Sequence, residues 1–227
     1  MDLEVAFFDL DDTLYDKKSG LWEAIRQRMS LYMHERLGMS WEIIPSLRRH
    51  YFETYGTTLR GLQLHHQVDP EDYLAFVHDL PIHEFIQPDP ELRHLILSMP
   101  LRRFVFTNAD RNHAQRVLQR LNLTDCFEGI IDIRAVRFYC KPEPQAYQIA
   151  LDIAQVQNPQ RCIYFDDTLA NLITARKIGF FTVLVGQEDL EGKVDLWVEQ
   201  LKELPQKLPA LWDNHRGSNG RTEDFAG

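Results

Sequence analysis

Glu4-Val-Ala-Phe-Phe-Asp9-Leu-Asp11-Asp12-Thr13-Leu14 is an apolar run that ends abruptly in acids. Its first half is too short for a helix and too apolar for a half-exposed strand, so it predicts a strand buried on both faces. Three acids in four residues after such a strand are electrostatically costly, because like charges raise one another's pKa unless a cation neutralises them. Asp9 and Asp11, two residues apart, point to one side of an extended chain, roughly 6–7 Å from each other. They can flank one Mg²⁺ ion, which prefers hard oxygen ligands. A solvated, Asp-rich turn is the other reading of the same residues.

Moving outward, further apolar runs follow at 103–106, 129–133, 162–165 and 180–185. Helical patterns lie between them. Ala114, Val117, Leu118 and Leu121 recur at helix spacing, as do Ala146, Ile149, Ala150 and Ile153, and Gly179 ends a third helix holding Leu172 and Ala175. Strands alternating with helices predict the α/β class: a Rossmann-like, doubly wound parallel sheet with helices on both faces. In such sheets ligands bind outside the carboxyl ends of the strands. The second run ends in Thr107-Asn108, the fourth in Asp166-Asp167-Thr168, and Lys141-Pro142 precedes a helix. A hydroxyl, an amide, a lysine and a second acidic pair are therefore expected at one crevice. Taken singly, each has a plain alternative: a helix cap, a surface lysine or a polar turn.

Between the first strand and the second lie almost a hundred residues without a convincing strand. Trp22, Ile25, Met29 and Tyr32 share one face of a helix over 20–37. Ser40 is placed to cap a second helix reaching Tyr55, and short helices follow near 57–66 and 70–79. Pro81, Pro88 and Pro90 mark an extended return. Residues 15–84 thus form a small all-helical cap inserted after the first strand, over a core of 1–14 and 85–212, with a flexible tail at 213–227. The cap aromatics Trp22, Tyr32, Trp41 and Phe52 read as core.

Composition narrows the function. The chain has 227 residues, 44% hydrophobic and 26% charged, with formal net charge −9. That balance disfavours a nucleic-acid polymer as partner. No apolar stretch is long enough for a membrane span, and the first residues lack a secretory pattern. Three scattered cysteines argue against a disulfide framework and for a reducing, cytoplasmic setting. Neither a phosphate-binding P-loop nor a dinucleotide fingerprint occurs.

The order Asp-x-Asp-x-Thr, Thr-Asn, Lys-Pro, Asp-Asp resembles the haloacid dehalogenase superfamily of phosphohydrolases, over roughly residues 4–190. The resemblance implies that Asp9 is the nucleophile, forming an aspartyl-phosphate, and that Asp11 is the general acid and then the base. It implies that Thr107, Asn108 and Lys141 hold the phosphoryl oxygens. Asp9, the Asp11 backbone carbonyl and Asp166 would hold Mg²⁺, with Asp167 supporting. Dehalogenases of the superfamily lack an acid two residues after the nucleophile, so Asp11 points to phosphoryl transfer. Phosphonate hydrolysis in the superfamily uses a cap lysine, and residues 19–84 contain none.

Substrate choice is expected in the cap. Tyr55-Gly-Thr-Thr-Leu-Arg60-Gly-Leu62 brackets two hydroxyls and an arginine between glycines. It reads either as a plain turn between helices or as a loop gripping the leaving group. Together with Phe7-Phe8-Asp9, Thr107-Asn108-Ala109 and His113-Ala114-Gln115-Arg116, it resembles the pyrimidine 5′-nucleotidase branch of the superfamily. That resemblance implies a small phosphomonoester substrate, a nucleoside 5′-monophosphate, with Arg60 as substrate contact and Thr57 and Thr58 as weaker candidates. Other small substrates such as a sugar phosphate or lysophosphatidate are the alternative, followed by a phosphomutase or a non-catalytic phosphate binder. His113 is expected on a helix, near Asp110 or the phosphate.

Overall fold

The computed structural model describes residues 1–189 and 191–213; the tail expected at 213–227 lies outside them apart from the last residue of a short helix. Among the described residues a parallel six-stranded sheet has the order β3-β2-β1-β4-β5-β6. The strands are β1 (Val5–Phe8), β2 (Arg102–Phe106), β3 (Gly129–Ile131), β4 (Cys162–Asp166), β5 (Phe181–Val185) and β6 (Leu196–Val198). β1 is central, pairing Phe8 with Val105 on one side and with Phe165 on the other. This register brings the ends of β1, β2 and β4 level, and with them the three motifs that follow.

Alternate side chains of each strand enter different cores. Val5, Phe7, Phe104, Phe106 and Tyr164 join one buried cluster, and Ala6, Phe8, Val105 and Phe165 join the other. The first is covered by α7 (Pro144–Ala154) and α8 (Leu169–Ile178), and the second by α5 (Pro90–Ser98) and α6 (Arg111–Leu121). Helices therefore lie on both faces, as the alternation requires.

The segment after β1 is helical: α1 (Leu21–Leu37), α2 (Ile44–Tyr55), α3 (Thr58–His66) and α4 (Pro70–Val77). α1 packs on α4, and α2 on α3. Gly56 ends α2 in the left-handed region, at φ 84°.

Several local expectations are corrected. Ser40 does not cap α2, which begins four residues later with Pro45 in its first turn and no side-chain cap. Pro90 opens a helix rather than marking extended chain: Asp89 caps α5, accepting from the N–H groups of Glu91 and Leu92. β6, three residues at the sheet edge, carries too little pattern to be read from sequence. Trp41 and Phe52 are surface residues, 52% and 48% exposed; Trp41 stacks on His34 instead of entering the core.

Candidate active site

The ends of β1, β2 and β4 converge on Lys141. Its ammonium lies 2.7 Å from Asp9 Oδ1, 3.0 Å from Asp166 Oδ2, 2.8 Å from the Phe106 carbonyl and 2.7 Å from the Tyr164 hydroxyl. The lysine is wholly buried. Burial alone would discharge it, but the Asp166 and Asp9 carboxylates outweigh that and hold it charged. Lys141 is in place because its loop is anchored. The Asn108 side chain makes a reciprocal pair with it, its amide donating to the Lys141 carbonyl and its oxygen accepting the Lys141 N–H. The Thr107 hydroxyl accepts the N–H of Ala109, shaping the turn after β2.

Asp9, Asp166 and Asp167 each bring a carboxylate oxygen within 4.8 Å of the other two. Asp166 is fully buried; it accepts from the Thr168 N–H and the Asn171 amide, and Tyr164 donates to it. Burial, and then the charges of its acidic neighbours against the pull of Lys141, push Asp9 well above the carboxylate range. Burial and the Asp166 charge raise Asp167 to about 7. Asp12 adds to the imbalance, with both carboxylate oxygens buried and unpartnered. Three clustered carboxylates with one lysine lack positive charge, and hard oxygen donors suit a divalent cation of the Mg²⁺ type. The donor set fits the ion.

Asp11 stands apart from this cluster. Its Oδ1 accepts from the Tyr15 hydroxyl at 2.7 Å and lies 2.8 Å from His113 Nε2. Burial acts to raise its pKa, but the His113 imidazole and the Tyr15 hydroxyl more than offset that and hold it low.

The cap reaches the site through one turn. A Cβ on Gly56 would sit 2.5 Å from the Lys141 carbonyl oxygen and 2.8 Å from Pro142 Cδ, so this approach requires glycine. The Cys140 thiol donates to the Tyr55 carbonyl at 3.0 Å. Thr57 caps α3, accepting the Arg60 N–H, and Thr58 is buried. The Arg60 guanidinium meets Glu143 at 3.9 Å, beside the lysine loop.

Sequence reasoning missed Tyr164, Asn171, Tyr15 and the partner of His113. Tyr164 and Asn171 had a signal: one lies two residues before Asp166 on the same strand face, the other in the first turn of α8 after it. His113 reaches Asp11 across 102 residues of chain, which no local pattern shows.

Residues 3–179 match the haloacid dehalogenase-like hydrolase family. The chain belongs to that family. Phosphate metabolism protein 8 of Saccharomyces cerevisiae is 29% identical over 224 residues, covering 92% of this chain and 70% of the yeast protein. Validoxylamine A 7′-phosphate phosphatase of Streptomyces hygroscopicus subsp. limoneus is 24% identical over 207 residues, covering 88% and 95%. Among solved structures, CbbY from Rhodobacter sphaeroides in complex with phosphate superposes with TM-score 0.66 at 21% identity, over 89% of this chain and 96% of that one. The helical segment after β1 matches a core-and-cap plan common to such folds. Among the described residues, no helix is long and apolar enough to cross a membrane.

Proposed function

We infer that this family member is a Mg²⁺-dependent phosphomonoester hydrolase acting through an aspartyl-phosphate, with pyrimidine nucleoside 5′-monophosphates as substrates. The observation that carries the chemistry is the Asp9–Lys141–Asp166 constellation beside Asp167. Lys141 fixes one oxygen of Asp9, and the other has only a long 3.5 Å contact from the Thr13 hydroxyl. That oxygen is free to attack phosphorus. The P–O bond to the leaving group breaks as Asp11, which the negative charge of the bound substrate must first bring to its protonated form against the pull of His113 and Tyr15, delivers that proton to the departing oxygen. Asp11 then takes a proton from water, whose oxygen attacks phosphorus, releasing phosphate and restoring Asp9.

Asp9, Asp166, Asp167 and the Asp11 carbonyl would hold Mg²⁺, which supplies charge neutralisation that lets a dianion approach. Lys141 adds positive charge on the transferring phosphoryl group. Thr107 lies at the same strand end for a phosphoryl oxygen, while the Asn108 side chain acts through the lysine loop it anchors. The nucleotide assignment draws support from the cap stretch 55–62, whose turn abuts Lys141 and whose Arg60 follows one helical turn later.

The test is phosphate release with Mg²⁺ and with EDTA from UMP, CMP, AMP, GMP, sugar phosphates, lysophosphatidate and p-nitrophenyl phosphate. The expected result is Mg²⁺-dependent release concentrated on UMP and CMP. Release concentrated on another ester removes the pyrimidine assignment and keeps the hydrolase; release unaffected by EDTA contradicts the metal.

A further inference from the structure

Asp11 is a short side chain that must present a proton to one particular oxygen. Left alone it would sample several rotamers, and a misplacement near 1 Å costs about 10²-fold in rate. Here both donors meet the same oxygen, Oδ1, so its other oxygen is left for proton transfer. The His113 side chain is 1% exposed, and its Nδ1 has no hydrogen-bond partner. Its ring therefore makes its polar contact with Asp11 through Nε2.

The ring is held from the cap side. His78, the residue that ends α4, stacks on His113 with centroids 4.2 Å apart and planes 17° from parallel. Its own Nδ1 lies 2.5 Å from Asp110 Oδ2. Burial and His113 lower the pKa of His78, so the neutral ring donates to the Asp110 carboxylate. Asp110 in turn caps α6 by accepting the N–H groups of Asn112 and His113. Arg116, one turn further along α6, donates to the His78 carbonyl at 2.8 Å. One buried chain of contacts thus runs from the end of the cap, through two stacked imidazoles, to Asp11.

We propose that His113, braced against His78 of the cap, is a positioning residue that aims the Asp11 carboxyl at the leaving-group oxygen. The aim of the acid then depends on the cap being seated. This rests on the reading of Asp11 as general acid, so the test separates the two. The measurement is kcat/KM on phenyl phosphate and p-nitrophenyl phosphate, esters of near-equal size whose leaving groups differ in their need for a proton. In Asp11→Asn, phenyl phosphate is expected to lose about tenfold more than p-nitrophenyl phosphate. Equal losses there contradict Asp11 as acid.

Given that selectivity in Asp11→Asn, His113→Leu should lose about threefold more on phenyl phosphate, and His113→Gln, whose amide can occupy the Nε2 position, should recover most of the difference. Equal losses on both esters in His113→Leu overturn the proposal. If His113→Leu does not fold, His113→Asn takes its place, because its amide stops short of Asp11. A lower phenyl to p-nitrophenyl ratio in Asn than in Gln supports the proposal, and the same ratio in both overturns it. His78→Leu should shift the ratio in the same direction, and an unchanged ratio overturns the link to the cap.

Discussion

In the proposed function Lys141 in the core serves the chemistry and Arg60 in the cap serves selection, and the two cations are held in opposite ways. Lys141 is 1% exposed and has four oxygen partners; Arg60 is one-third exposed and has one ion pair at 3.9 Å. The first sits where three parallel strands end together, so its position follows from sheet register. The second sits on the short helix α3, where Thr58, Leu59, Gly61 and Leu62 are buried around it while its own side chain stays one-third open to solvent. The contrast fits the proposed division, in which the sheet sets the reaction and the cap the substrate.

The largest expected effect breaks the core side of that contrast. Lys141→Met leaves Asp9 and Asp166 buried without their cation. Removing one partner of a buried ion pair costs about 3–5 kcal/mol of stability, and losing a charge aimed at the transferring group lowers kcat by about 10²–10³-fold. Thermal melts and steady-state kinetics check both. A variant with unchanged Tm and kcat would mean that Lys141 is a bystander.

Arg60→Ala should act on selection alone. Loss of a hydrogen bond to a charged group lowers kcat/KM for UMP by about thirtyfold, with p-nitrophenyl phosphate and stability nearly unaffected because the ion pair to Glu143 is long, at 3.9 Å, and partly open to solvent. Equal loss on both substrates would place Arg60 with the machinery of the reaction.

The smallest effect sharpens the electrostatics. Burial and the Asp166 charge push the Asp167 carboxyl in the folded protein up to about 7, from its ordinary 3.8. The folded metal-free protein therefore keeps a proton that the unfolded chain releases. The Asp167 contribution to stability is therefore greatest below about pH 4 and falls as pH rises towards 7. A metal must displace that proton, so Mg²⁺ affinity should rise about tenfold between pH 6 and 8. Calorimetric titration in buffers of different ionisation enthalpy checks this; an affinity independent of pH would contradict the charge-poor cluster.

Much of this was legible because the catalytic motifs are local. An apolar run followed by acids announces a buried strand and what its end carries, and 4–14 and 162–168 became informative together, each removing the plain-turn reading of the other. The same locality misled at Asp89-Pro90, where proline suggested extended chain although Asp before Pro is also a helix start. It failed for β6, which is three residues long and defined by its neighbour β5. The His113–Asp11 and His78–Asp110 contacts were not legible, since each joins elements far apart in the chain, the first within the core and the second from cap to core. Trp41 and Phe52 show the limit of aromatic content as a sign of core: size favours burial, but Trp41 lies in the turn before α2 and Phe52 on the outer face of α2, and both stay exposed.

The proposed reaction stands on phosphorylation of Asp9. Mixing the protein with Mg²⁺ and substrate labelled in its phosphoryl group, quenching in acid within milliseconds and mapping the labelled peptide tests it directly. Label is expected on the peptide holding Asp9, lost in Asp9→Asn and absent with EDTA. Turnover that persists in Asp9→Asn, or label that maps to another residue, would contradict it.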